Sequence, residues 1–294
     1  EIHERLVGSE MCIRDSYAMG DTVSANLTLY AVWNTQYTYS ATITYKPNDG
    51  SADKDITQTV GHNTDSNLIA TIANNSYQVS GWTFGGWNEQ ADGMGTLHQP
   101  GGKLTLTNGA SKTLHAQWYK QDGSSITIPG KDGNPKTDAD NVTAKGDNIT
   151  RNPDTGVVTI PNGGTITVTK PNGEQQTILL PTGGTLNPDG SYTINQPDDG
   201  KIEVDKDGTE TPKDDKGDAK PNAKIVTMTY HSNDGTGKVM NVKAVEGEDV
   251  SIIASPFKWA GHTFLNWMGT DKKEYNPADT FTAKEMEFFA QWYK

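Results

Sequence analysis

The 294-residue sequence holds one cysteine, Cys12, so no disulfide can form within the chain, and cysteine usage leaves the compartment open. Arginine is nearly missing: Arg5, Arg14 and Arg151 are the only three. No polybasic run occurs, and the formal net charge is -12. Such a surface repels phosphate backbones and anionic lipid, which argues against nucleic acid as a partner. No apolar stretch approaches the length of a membrane span. Hydrophobic residues are sparse at 33%, whereas glycine is abundant at 31 residues. That balance suits thin β-rich domains with many turns better than a large enzyme core.

The first sixteen residues, EIHERLVGSEMCIRDS, differ from the rest of the chain. They contain the only cysteine and two of the three arginines. They resemble a translated sequencing-adapter fragment and are set apart from fold reasoning as a scar would be. They lack the apolar core of a signal peptide. Cys12 would otherwise be a candidate nucleophile.

What is present is repetition. ATITYKPNDG (41–50) lines up with VTMTYHSNDG (226–235), WTFGGWNEQ (82–90) with HTFLNWMGT (262–270), and both copies close on AQWYK, at 116–120 and 290–294. Tyr45 thereby matches Tyr230, Phe84 matches Phe264 and Trp87 matches Trp267. Three anchors in one order give two full copies, 36–120 and 224–294. YAMGDTVSANLTLYAVW (17–33) reads as the end of an earlier copy, a remnant assigned to 17–35.

Within a copy, ATITY and VTMTY alternate as half-buried strands, and NDG is a hairpin turn because Asn, Asp and Gly tolerate positive φ. DITQTV and MNVKAV read as return strands. SNLIATIAN (66–74) is the predicted helix: Leu68, Ile69 and Ile72 fall at i, i+1 and i+4 behind a possible cap at Asp65 or Ser66. SIIASPFKWAG takes that place in the second copy, with Pro256 suited to a first helical turn. A copy this small has a modest core. One buried Trp removes roughly 150–250 Å² from water, on the order of 4–6 kcal/mol as an upper bound. Trp87 and Trp118 are therefore read as core. The opposing reading, a carbohydrate-stacking face, needs several exposed coplanar rings.

The order TYxxNDG, F-x-x-W, Y-x-P, LxAQW resembles the internalin B-repeat, or Listeria–Bacteroides repeat, of bacterial cell-surface proteins. YNPADTFTAKEMEFFAQW (275–292) matches its closing half, whereas LHQPGGKLTLTNGASKTLHAQW (97–118) lacks the Tyr. The resemblance covers about half the chain. It implies a mainly β fold with short helices, as two small β-grasp-like domains. It also implies an extracellular modular protein, an adhesin or wall-anchored stalk, with host glycan, matrix protein or neighbouring repeats as partners. The family brings no catalytic residue. The rival reading is an accessory or carbohydrate-binding region of a secreted enzyme whose catalytic domain lies elsewhere.

Residues 121–223 are another material. They hold ten of the fourteen prolines and one aromatic, Tyr192. Turn glycines recur at Gly163, Gly173, Gly183, Gly190, Gly200 and Gly208. Ile166 and Val168 share one face of TITVTK and the threonines the other. Residues 155–205 are expected to form a β-meander or solenoid-like spacer. The flanks, 121–154 and 206–223, read as linkers because they are polar, charged and rich in Pro and Gly.

Few constellations carry chemistry. Glu203, Asp205, Asp207, Gly208 and Asp214 sit at calcium-loop positions 1, 3, 5, 6 and 12, but both end residues are wrong and no helices flank them. His62, His98, His115, His231 and His262 lack metal-ligand spacing. No nucleophile elbow or phosphate loop is present. Abundant turn carboxylates are the wrong environment for a catalytic pair. NLT, NNS, NVT and NIT fit the glycosylation pattern, as chance allows in a Thr/Asn-rich chain. No catalytic, cofactor or metal residue is assigned.

Overall fold

The hairpin signals at NDG are obeyed in both copies. In a computed structural model, Asn48 and Asn233 each take φ of 49°, and Gly50 and Gly235 follow at 68° and 82°. The structure describes residues 37–51, 54–130, 133–135 and 141–294, together with the backbone of three short amino-terminal strands. These three, Arg5–Gly8, Ser16–Tyr17 and Leu29–Val32, pair antiparallel, with Arg5–Gly8 in the middle. The rest of the stretches read as a scar and as a remnant, including Cys12, lies outside the described residues.

In the first copy the opening strand Tyr39–Lys46 turns through NDG into the return strand Ile56–His62. The closing strand Ser111–Asp122 lies parallel to the opening strand on its other side, and Thr83–Asn88 pairs antiparallel beyond it. The second copy repeats this arrangement: return strand Val239–Val245, opening strand Ile225–His231, closing strand Met286–Tyr293, then Thr263–Gly269. Alternation decides which side faces in. Ala41, Ile43 and Tyr45 are buried, as are Val226, Met228 and Tyr230, while the threonines between them are half-buried.

The predicted helices are not formed, and the described residues contain none. Leu68–Thr71 is a strand paired with Lys103–Leu106. Leu68 and Ala70 are buried, but Ile69 is 59% exposed, so the period is two rather than 3.6. The second copy has Asp249–Ser251 paired with Thr280–Thr282, followed by extended chain through Pro256. Side chains satisfy the backbone that a helix would have satisfied internally. The Ala73 amide donates to Tyr45 Oη (3.0 Å), and the Ala73 carbonyl accepts from Trp87 Nε1 (2.9 Å). Ile253, at the matching place, accepts from Trp267 Nε1 at 2.9 Å. With both groups satisfied, the crossing segment has no unmet demand for helix.

The middle region departs from expectation at both flanks. Ser125–Ile128 and Asn141–Lys145 are strands within the stretch read as a linker, and Glu210–Lys213 is a strand in the other. The reason lies in a few inward residues among polar ones: Ile126, Ile128, Val142 and Ala144 are all buried. Tyr192–Asn195, Lys201–Val204 and Glu210–Lys213 continue Gly184–Leu186 as a meander. A solenoid stack is not formed. A six-stranded antiparallel sheet instead faces the four strands 125–128, 141–145, 164–169 and 175–180, with Ile126, Ile166, Ile178, Ile160, Leu186 and Ile202 in the core between them.

That four-stranded layer joins the two copies. The closing strand of the first pairs with Ser125–Ile128, and Gln175–Leu180 meets Val239–Val245 at Ile178–Asn241, so one 14-stranded sheet runs from copy to copy. Polar contacts pin the joints. Arg151 places its guanidinium 4.4 Å from the Tyr119 ring centre and donates to the Gly85 carbonyl, and Lys206 pairs with Asp92 at 2.7 Å. At the other joint Lys243, its side chain 11% exposed, pairs with Glu210 at 2.6 Å.

Candidate functional site: a clasp built from the repeated motifs

The recurring words of the sequence meet in space. Trp87 and Trp267 are buried to 1% and 0% exposure. Each lies edge-on to the tyrosine of its opening strand at 4.8 Å between ring centres, and 5.0 Å from its Phe, Phe84 or Phe264. The closing tryptophan stands near the same Phe, at 5.9 Å for Trp118 and 5.7 Å for Trp292. Burial pushes the Tyr45 and Tyr230 hydroxyls up from their usual range. These rings are core, and Tyr45, Trp87 and Phe84 present no coplanar platform.

NDG and AQW close on each other. Asn48 Nδ2 donates to the Ala116 carbonyl at 3.1 Å, and Trp118 Nε1 donates to the Pro47 carbonyl at 2.9 Å. In the second copy Asn233 Nδ2 donates to the Ala290 carbonyl at 2.9 Å, and Trp292 Nε1 to the Ser232 carbonyl at 2.7 Å. Each hairpin is thus fastened to the closing strand by two reciprocal bonds. Asn48 also donates to Ala91 (2.8 Å) and lies 3.4 Å from the Gly133 carbonyl. A shared spacing signalled that the motifs belong to one unit, but not that Asn and Trp exchange bonds.

The central Asp of the second NDG is a separate matter. Asp234 Oδ1 accepts from Thr236 Oγ1 (2.6 Å), Ser232 Oγ (2.7 Å) and the Thr236 amide (2.9 Å). These bonds hold its carboxyl down at about 2, against an ordinary 3.8. A depressed carboxyl stabilises the fold fully above its unfolded value and loses that contribution as pH falls through about 2. Acid titration followed by near-ultraviolet circular dichroism should show the second copy loosening between about pH 4 and 2. Asp234→Asn should flatten that part of the curve; an unchanged curve would refute the assignment.

The carboxylates read as a calcium loop are engaged separately. Glu203 pairs with Lys201 (3.0 Å) and Lys213 (3.5 Å) across the meander. Asp205 caps one turn through the Asp207 and Thr209 amides, and Asp214 caps the next through Lys216 and Asp218. Among the described residues no three His, Cys, Asp or Glu converge as a metal site. The histidines are dispersed. His98 meets Glu89 at 3.0 Å, His231 meets Glu287 at 3.2 Å, His262 stacks on Trp259, and His62 Nδ1 accepts from the Asp65 amide. His115 is held below its usual pKa, first by burial and then by Lys46.

A shallow groove of about 600 Å³ flanks the first copy, lined by Asn75, Tyr77, Gln78, Val79, Trp82 and Trp118 among others. Lys120 covers Trp82 from 4.6 Å. Among the described residues no helix is long and apolar enough to cross a membrane.

Residues 42–117 and 227–291 match the model of the Listeria-Bacteroides repeat domain, so the two copies found by alignment coincide with two matches to one family. Repeats of this family occur in bacterial surface proteins. The chain is also similar to a protein called "Putative membrane protein" from Evansella cellulosilytica, 29% identical over 99 residues, which is 33% of this chain and 14% of that protein. No solved structure matches.

Proposed function

We propose that this chain is a non-catalytic stalk region of a secreted bacterial cell-surface protein, holding a more distal part away from the wall under tension. One observation carries the reading. In each copy the opening and closing strands are neighbours and parallel, Thr42–Lys46 beside Ser111–His115 and Met228–His231 beside Met286–Phe289. The chain enters a copy at one end of this pair and leaves at the other. Pulling on the chain therefore shears the strands along their length and strains all their hydrogen bonds together, instead of opening them in sequence. The clasp fastens the same pair from the side.

On this reading the copies are β-grasp derivatives in which an extended segment, pinned by Tyr and Trp, takes the helix's place. The domain limits become 37–122 and 224–294, with 125–213 as one two-sheet spacer.

Single-molecule pulling on the full chain tests the proposal. The spacer begins with a tight antiparallel hairpin, Asp122–Ser125, that peels from one end. It should yield first. Two higher-force events should follow, each releasing on the order of 250 Å for about 75 residues. Copies that open at or below the force of the spacer would sink the stalk reading.

A further inference from the structure

The main run of the 14-stranded sheet, from which a side branch leads through Thr83–Asn88 to the two-residue strand Leu97–His98, is finished differently at its two ends. One ends in the two-residue strand Glu274–Tyr275, preceded by Asp271, Lys272 and Lys273. Short and charged edges of this kind resist further pairing. The other end is the return strand Ile56–His62, seven residues of sequence ITQTVGH, with opening-strand partners on one side and none on the other among the described residues. It carries no Lys, Asp, Glu or Pro. Ile56 is 40% exposed, and Thr57 and Thr59 are exposed.

The equivalent strand of the second copy shows what such an edge can take. Pairing with the opening strands sets Thr57 at the place of Asn241, Thr59 at that of Lys243, and Gly61 at that of Val245. There the outer side is covered: Asn241 pairs with Ile178, Lys243 meets Glu210, and Val245 packs into the spacer core. In the first copy the position of Val245 is glycine, and the Tyr37 ring lies where a Cβ would be. Among the described residues the same strand type therefore has an edge covered by neighbouring strands in one copy and an edge without a paired strand in the other.

We infer that Ile56–His62 is a strand-addition surface for a second copy of this chain, paired antiparallel about a two-fold axis at Thr59. This register sets Thr57 opposite Gly61 and Gln58 opposite Val60, all uncharged. That matters in a chain of net charge -12, where most surfaces repel their own copy. At the strand's start Asp55 is already met by Lys46 at 2.6 Å, which removes a repulsive charge from the rim. Main-chain bonds supply the attraction, as in other strand-addition complexes. The two-fold makes the patch self-complementary and the assembly closed. An edge of seven residues buries little area, so association is weak, with a dissociation constant of about 10–1000 μM. The inference rests on the strand edge and not on the stalk reading, so either can fail alone.

Sedimentation velocity of the full chain at rising concentration reads the result. The wild type should shift from 31.8 kDa toward twice that mass. Thr59→Lys and Thr59→Glu, exposed substitutions checked for an unchanged melting temperature, should each stay monomeric, while Thr59→Ser should behave as wild type. Mixing the Lys and Glu variants should restore the dimer, because the two-fold sets residue 59 against residue 59. A wild type that stays monomeric up to about 1 mM overturns the inference. So does a Thr59→Lys variant that dimerises unchanged, or a mixture that does not recover.

Discussion

Trp267→Ala should cost the second copy most of its stability. The ring is wholly buried, and it touches Tyr230, Phe257 and Phe264. Truncating a core Trp costs about 3–5 kcal/mol through lost transfer energy and the cavity left behind. The substitution also strands the Ile253 carbonyl, which accepts from the indole at 2.9 Å and lies in a segment with no helix to fall back on. An orphaned buried acceptor adds about 1–3 kcal/mol. Against a typical total of about 5–15 kcal/mol, the sum is close to unfolding. Calorimetry should show the transition of the second copy falling by at least about 15 °C, with the first copy unmoved. Trp267→Phe separates the two causes, since it keeps most of the packing and loses only the donor. It should fall about midway. If Phe is as damaging as Ala, the hydrogen bond to Ile253 dominates; if Ala shifts the transition by less than about 5 °C, the indole is not the core of this copy.

That same residue explains what could and could not be read from the sequence. The aromatic anchors and NDG were legible because their spacing recurs, and a recurring spacing is a direct trace of one packing solution used twice. The crossing segment was not. Leu68, Ile69 and Ile72 satisfy a helical period as well as a strand period over so short a run. The choice is made by Tyr45 and Trp87, 28 and 14 residues from Ala73, which take its amide and carbonyl. Local pattern carries no record of such remote partners. The flanks of the spacer were misread for a related reason. Val142 and Ala144 are two buried residues among polar neighbours, and their strand exists because Thr167 and its neighbours lie opposite. The joints were invisible altogether: Lys206 and Asp92 are 114 residues apart.

Asn233 gives the second large expected effect, and the recurrence of NDG with AQW rests on it. Two features coincide at this residue. Its backbone is left-handed at φ of 49°, and its side chain reaches the Ala290 carbonyl on the closing strand at 2.9 Å. Asn233→Gly keeps the backbone and removes the bond, so it should cost about 1 kcal/mol, more if Ala290 finds no water. Asn233→Ala removes the bond and leaves in the left-handed region a residue without the polar side chain that lets Asn tolerate it, which adds about 1 kcal/mol. The difference between the two isolates the backbone; the Gly variant alone isolates the clasp. Asn48→Ala should exceed Asn233→Ala, because its amide also donates to Ala91 and comes within 3.4 Å of the Gly133 carbonyl, at the approach to the spacer. Chemical denaturation of the full chain, read separately through each copy by nuclear magnetic resonance, orders the three variants. Should Asn233→Gly prove neutral, the turn alone accounts for the motif, and the pairing of NDG with AQW would reflect a shared hairpin geometry without a clasp. Should it instead weaken the copy in equilibrium and lower its unfolding force together, the bond that joins hairpin to closing strand is part of what lets the module hold tension.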